Sequence, residues 1–183
     1  MTITENSTFT FRQAGHEDAQ GIAAVHVRSW QIAYKGLINQ DYLDSLDIEA
    51  RAVSWQESLS NPNNPCITLI ALENNKVVGF LTIGPSRNDV FTDDVELYAI
   101  YIDPDYFGKG LGSGLFKKCH ARILKHGTSG MFVNVLTDNL RGRDFYERMG
   151  AKSVANSEFS TKIHRKSYQE IIYYWPSLSD IKL

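Results

Sequence analysis

The stretch "DPDYFGKGLGSGLF", residues 103–116, carries glycine at every second position from Gly108 to Gly114, directly ahead of an apolar-periodic segment. Glycine costs backbone entropy wherever it stands, and more inside a helix, so four of them at a helix entrance need a reason. On one side, "DVELYAIYI" (94–102) reads as a strand ended by Asp103-Pro104. On the other, Leu111, Leu115, Cys119 and Ile123 recur every fourth residue between Lys109 and about His126, the stripe of an amphipathic helix. Strand, turn, glycine-rich loop and helix, in that order, put a row of backbone N–H groups at a helix N-terminus. Unpaired donors and the helix dipole attract anions there. Two common phosphate loops fail on spacing. A P-loop needs Ser or Thr after Gly108-Lys109, where Gly110 stands, and a GxGxxG fingerprint needs glycine at position 113, where Ser113 stands.

Working outward, Phe9 to Gln13 reads as a first strand, followed by a helix over Glu17 to Trp30 and a second helix from about Asn39 to Ser58. The run Asn61-Pro62-Asn63-Asn64-Pro65 is a breaker. "CITLIAL" and "KVVGFLTIG" form a hairpin through Glu73-Asn74-Asn75. Beyond the central helix, "GMFVNVLT" (130–137) reads as a buried strand, Asn139 to Met149 as a short helix capped by Gly150, and Lys152–Phe159 and Tyr168–Trp175 as two further strands. No repeat, low-complexity tract or linker divides the 183 residues, so the reading is one domain over 1–183, of α/β type.

Composition bounds the function. An apolar fraction of 43%, a charged fraction of 22% and a net charge of −2 are those of an ordinary globular protein, and they point away from nucleic acid and anionic membrane as partners. The polar N-terminus has no signal-peptide pattern, and no apolar run reaches the roughly 20 residues of a transmembrane helix. Cys66 and Cys119 are far apart, which fits reduced thiols and a cytoplasmic location. No metal-ligand spacing occurs, and the expectation is an enzyme without a metal.

The segment "VELYAIYIDPDYFGKGLGSGLFKKCHARI" resembles the acetyl-coenzyme A motif of the GNAT superfamily of N-acetyltransferases, usually (Arg/Gln)-x-x-Gly-x-(Gly/Ala), here Phe107-Gly108-Lys109-Gly110-Leu111-Gly112. "NLRGRDFYERMG" resembles the superfamily's second motif, with Asn139 and Tyr146 seven residues apart and Gly142 in place of the usual Ala. The two motifs cover residues 94–151. The fold implied is a mixed, mostly antiparallel sheet of about seven strands, splayed between strands 4 and 5 and flanked by about four helices. Phe107 stands where Arg or Gln commonly opens the loop, so the loop is expected to hold pyrophosphate through backbone N–H groups, with help from Lys109 and Ser113.

The resemblance also implies chemistry. The pantetheine arm pairs with the gap between the splayed strands, through backbone groups of Ile100 and Ile102 with Tyr101 between them, and a bulge is expected around Ala99. A backbone N–H near Ile100 polarises the thioester carbonyl. Asn139 is expected to hydrogen-bond the arm, or to serve as a helix N-cap. Tyr146 is the expected acid that protonates or steadies the departing thiolate. Glu96, on the strand entering the split, is the expected base, with His26 and Tyr98 as weaker alternatives. Trp30, Tyr34 and Glu96 are expected on the acceptor wall, and Asp89, Asp93, Asp94 and Glu96 favour a cationic amine. The implied activity is acetyl transfer from acetyl-CoA to a primary amine of a small molecule by direct attack in a ternary complex. Acetylation of a protein N-terminus or lysine, a non-catalytic acetyl-CoA-sensing module, and a homodimeric state stay open.

Overall fold

The computed structural model describes residues 9–123 and 130–183. The strands are β1 (Thr10–Gln13), β2 (Ile67–Glu73), β3 (Lys76–Pro85), β4 (Val95–Ile102), β5 (Met131–Leu136), β6 (Lys152–Ser153), β7 (Phe159–Ile163) and β8 (Lys166–Trp175). The helices are α1 (Ala19–Ala33), α2 (Gln40–Asp44), α3 (Ile48–Ser60), α4 (Leu111–Ile123) and α5 (Leu140–Arg148). All eight strands join one sheet in the order β1-β2-β3-β4-β5-β8-β6, with β7 also paired to β8. The expected splay is present: β4 and β5 run parallel and pair only at Val95↔Met131 and Glu96↔Phe132, then part.

Alternation sorts each strand between two covering layers. On one face Leu81, Leu97, Val133, Val135, Ile171, Tyr173 and Trp175 pack against Leu111, Leu115, Phe116 and Cys119 of α4 and Tyr146 and Met149 from α5 and its end. On the other, Ile70, Leu72, Val77 and Phe80 meet Ile22 and Val25 of α1, with Trp55 of α3 behind them. Asn74 (φ 49°) and Asn75 (φ 63°) form the tight turn of the β2–β3 hairpin, left-handed positions that Asn tolerates best after glycine.

Several boundaries differ from the sequence expectation, each for a local reason. The helix expected over 39–58 is two: α2 ends at Asp44, and Asp47 begins α3 anew by accepting the Ala50 N–H at 2.7 Å. The first helix starts at Ala19, after a 3-10 turn over His16–Asp18, and runs on to Ala33. The last part of the helix expected to reach His126 lies outside the described residues. The strand expected over 152–159 breaks into β6 and β7, with Asn156 at φ 57° between them, and β8 begins at Lys166 rather than 168. The β7–β8 hairpin was hidden because its run, "FSTKIHRKSYQE", is polar on both sides, as befits strands at a solvated edge.

Candidate active site

The four glycines divide into two pairs. Gly108 (φ +77°) and Gly110 (φ +78°) take left-handed backbone conformations that side chains rarely adopt, and among the described residues, their chain neighbours aside, no atom lies within 4 Å of where their Cβ atoms would be. That open side is where a ligand can reach the backbone. Gly112 and Gly114 already belong to α4 and serve packing: a Cβ on Gly112 would stand 2.9 Å from the Phe145 ring, and one on Gly114 would run into the Phe11 ring. The first bond into the helix is the Gly114 N–H to the Gly110 carbonyl (3.0 Å), which leaves the N–H groups from Gly110 to Ser113 without carbonyl partners among the described residues.

This helix entrance opens on a cavity of about 520 Å³ that follows the gap between β4 and β5. Its wall takes in Gly108, Gly110, Leu111, Gly112 and Ser113 of the loop, the β4 run from Tyr98 to Ile102, and Asn134 of β5. Asn139, Tyr146, Tyr34 and Glu170 also line it. The bulge falls beside Ala99: Thr82 faces Ala99 but Ile83 faces Leu97, so Tyr98 is the extra residue. The Asp103 N–H bonds the Val78 carbonyl of β3 (2.9 Å). By strict alternation Tyr101 also spends its backbone groups on β3, while Ile100 and Ile102 direct theirs into the gap. One lone pair of the Ile102 carbonyl is taken by the Ser29 hydroxyl (2.9 Å). Tyr101 reaches the cavity through its side chain, whose hydroxyl hydrogen-bonds that of Tyr34 (3.1 Å). Buried Asp103, 2% exposed and bound by Arg28 at 2.6 Å, pins the end of β4 to α1.

A guanidinium from elsewhere in the chain stands beside Phe107, where the motif usually has its opening Arg or Gln. Phe107 lies under the guanidinium of Arg141, 3.5 Å above the ring, and both line the cavity together with Arg148 and Lys182. Burial and, behind it, the like charge of neighbouring Arg148 depress the Arg141 pKa. Lys109 is not on the wall; its ammonium sits 4.4 Å from the centre of the Tyr106 ring. Ser113 is on the wall, its hydroxyl directed at the Met149 sulfur (3.8 Å). The Arg141 signal was present in the sequence as the spacing Arg141, Phe145, Arg148, which puts all three on one face of α5.

Asn139 combines both expected positions. Its side-chain oxygen accepts the Gly142 N–H (3.0 Å) as the N-cap of α5, and it also lines the cavity. Gly142 is small for cause, since a Cβ there would press on that amide at 2.8 Å. Tyr146 is 8% exposed, held edge-on by Phe145 and Trp175, and among the described residues its hydroxyl has no hydrogen-bond partner. Burial raises its pKa well above the ordinary tyrosine value, so it stays protonated throughout the neutral range.

Glu96 sits elsewhere than a free base would. It is 1% exposed and off the cavity wall. Its oxygens accept the Arg87 backbone N–H (2.9 Å) and the Arg87 guanidinium through Nε (3.1 Å) and Nη2 (2.5 Å), and Asn134 Nδ2 donates at 3.4 Å. His26 is a core residue that accepts the Trp55 indole N–H (3.4 Å) and stacks on Tyr101, and burial lowers its pKa to about 3. Trp30 lies behind the wall against Tyr34 and Tyr101, its indole nitrogen buried without a hydrogen-bond partner among the described residues. Tyr34 is on the wall itself. Sequence reasoning missed Glu170, which faces the cavity from β8.

A glycine-cradled anion seat beside a split sheet, with a buried tyrosine at the gap, is the arrangement of a coenzyme A-dependent acyltransferase. The sequence model of the Acetyltransferase (GNAT) family matches residues 27–151, and the chain belongs to that family. It is 35% identical over 174 residues to the uncharacterized N-acetyltransferase YuaI of Bacillus subtilis, covering 94% of this chain and 96% of that one. It is 25% identical over 161 residues to a spermidine N(1)-acetyltransferase of Thermoplasma acidophilum, covering 86% and 96%. Its fold is that of the PaiA N-acetyltransferase from Thermoplasma acidophilum in complex with coenzyme A, with a TM-score of 0.74, 20% identity, and coverage of 92% and 99%. The protein is an acetyl-CoA-dependent N-acetyltransferase.

Proposed function

We propose that the protein moves the acetyl group of acetyl-CoA to a primary amine of a small cationic molecule, by direct attack while both substrates are bound. The observation that carries this reading is a single continuous cavity whose wall holds both a cationic anion seat, formed by the α4 entrance with Arg141 and Arg148, and a half-buried carboxylate, Glu170. In this reading the loop 107–113 and Arg141 hold the pyrophosphate, while Ile100, Ile102 and Asn139 hold the pantetheine arm. The Ile100 N–H faces the thioester oxygen, and Tyr146 serves the departing sulfur. A tyrosine held this far above its usual pKa does not give up its proton outright. It donates a hydrogen bond to the sulfur and passes the proton on only as another replaces it.

Direct attack is supported by the state of the two thiols: burial pushes Cys119 up to about 12 and raises Cys66 as well, so neither offers a ready thiolate to carry the acetyl group. A cationic acceptor is supported by Glu170 and by the likeness to a spermidine N(1)-acetyltransferase. Screening diamines, polyamines, amino acids and peptides for coenzyme A thiol release tests this. Turnover is expected first with flexible primary diamines or polyamines. Turnover confined to peptide N-termini would overturn the small-molecule assignment.

A further inference from the structure

The acceptor half of the cavity contains hydrogen-bond acceptors that the protein does not satisfy. Glu170 stands on β8 opposite Leu136 of β5, on the face turned to α1, and lines the cavity near Tyr34. Among the described residues its carboxylate has neither an ion pair nor a hydrogen-bond partner. Asn134, two residue pairs along the same two strands, is its diagonal neighbour on the same face, a relation of about 7 Å between backbones. The Asn134 amide orientation is fixed by Glu96: Nδ2 donates to that carboxylate, so Oδ1 must point the other way, and there it is buried with no partner among the described residues. A flipped amide would set oxygen against oxygen. Arg87, the cation whose charge acts on Glu170, is held by its bonds to Glu96 and by its place 4.0 Å over the Tyr98 ring.

Leaving such groups unpaired inside a protein costs free energy, and the group that satisfies both at once is one with several donors, no acceptor and a positive charge. A primary ammonium is that group. We infer that Glu170, with Asn134 Oδ1 beside it, seats the ammonium of the acceptor and that Glu170 takes its first proton. The inference rests on the acetyl-transfer reading above and assigns to Glu170 the part the sequence suggested for Glu96. The proton passes from nitrogen to the Glu170 carboxylate, freeing the lone pair, which forms the new C–N bond at the thioester carbon. The C–S bond then breaks with its electron pair on sulfur, and sulfur gains the second nitrogen proton, relayed through the Tyr146 hydroxyl. One proton remains on Glu170 and leaves to solvent. Burial raises the Glu170 pKa, opposed by Arg87 and reinforced by Glu96, which brings the carboxylate nearer to the working range of a base.

The test compares wild type with Glu170→Gln, loaded with coenzyme A, against 1,5-diaminopentane and 1,5-pentanediol by calorimetry, alongside acetyl-CoA affinity, thermal stability and turnover with the diamine. Wild type is expected to bind the diamine and not the diol. Glu170→Gln is expected to weaken diamine binding about tenfold or more and lower kcat by about 10²-fold, with acetyl-CoA affinity unchanged. Because a carboxylate whose folded pKa is raised weakens the fold once ionised, the variant should match or exceed wild-type stability at pH 7. A variant that binds and acetylates the diamine like wild type overturns the inference, as does a wild type that does not distinguish diamine from diol. Failure of wild type to bind acetyl-CoA would instead overturn the underlying acetyl-transfer reading.

Discussion

Replacing Gly110 by aspartate should weaken acetyl-CoA binding by at least about a hundredfold. The space is available, since no described residue beyond the chain neighbours lies within 4 Å of the missing Cβ, so the loss comes from two other sources. A residue with a side chain at φ +78° costs about 1–2 kcal/mol, and a carboxylate a few ångströms from a pyrophosphate adds several kcal/mol of repulsion at the intermediate dielectric of a protein surface, about 4 kcal/mol per unit charge at 4 Å. Gly110→Ala isolates the first contribution and should cost stability more than affinity. Arg141→Gln, which removes the cation over Phe107 but leaves the loop intact, should give an intermediate loss of about tenfold, in keeping with one charge-assisted hydrogen bond. Calorimetric titration with acetyl-CoA ranks the three. A Gly110→Asp protein with wild-type affinity would remove the loop from the binding site.

Tyr146→Phe should lower kcat by about 10²–10⁴-fold while leaving acetyl-CoA affinity within about twofold. The fold should be untouched, because the hydroxyl has no partner among the described residues and the ring keeps its contacts with Phe145, Tyr173 and Trp175. The sign of the pH dependence follows from burial. The tyrosine is raised above its ordinary value, so its proton is present at neutral pH and is lost only on rising far above it. The wild-type rate should therefore show no alkaline decline from this group below about pH 10. Pre-steady-state thiol release and the pH–rate profile check both statements. A variant within about twofold of wild type would make Tyr146 a packing residue.

What could be read in advance was what the chain encodes locally. The strand–loop–helix order around residues 94–123, the alternating glycines and the Asn139–Tyr146 spacing all concern neighbours in sequence, and the structure sets them around one cavity. The unread features depend on which distant strand lies alongside. Glu170 is one polar residue in the run "SYQEII", and only the pairing of β8 with β5, which puts Ile171, Tyr173 and Trp175 into the core beneath α4, turns Glu170 to the cavity. Glu96 shows the converse. Its position at the start of the split was legible, but its capture by Arg87 depends on how the β3–β4 loop folds back, which no periodicity records. Arg141 was overlooked because the motif directs attention to the loop's own first residue, whereas the guanidinium comes from a helix some thirty residues later.

The central claim is that the acetyl group passes straight from acetyl-CoA in the split to an amine seated beside it, with no acetylated enzyme between. Initial rates measured while acetyl-CoA and the best acceptor amine are varied together test this most directly. Double-reciprocal lines that intersect, with no thiol released until the amine is added, are the expected result. Parallel lines, together with a stoichiometric burst of thiol before the amine arrives, would contradict it.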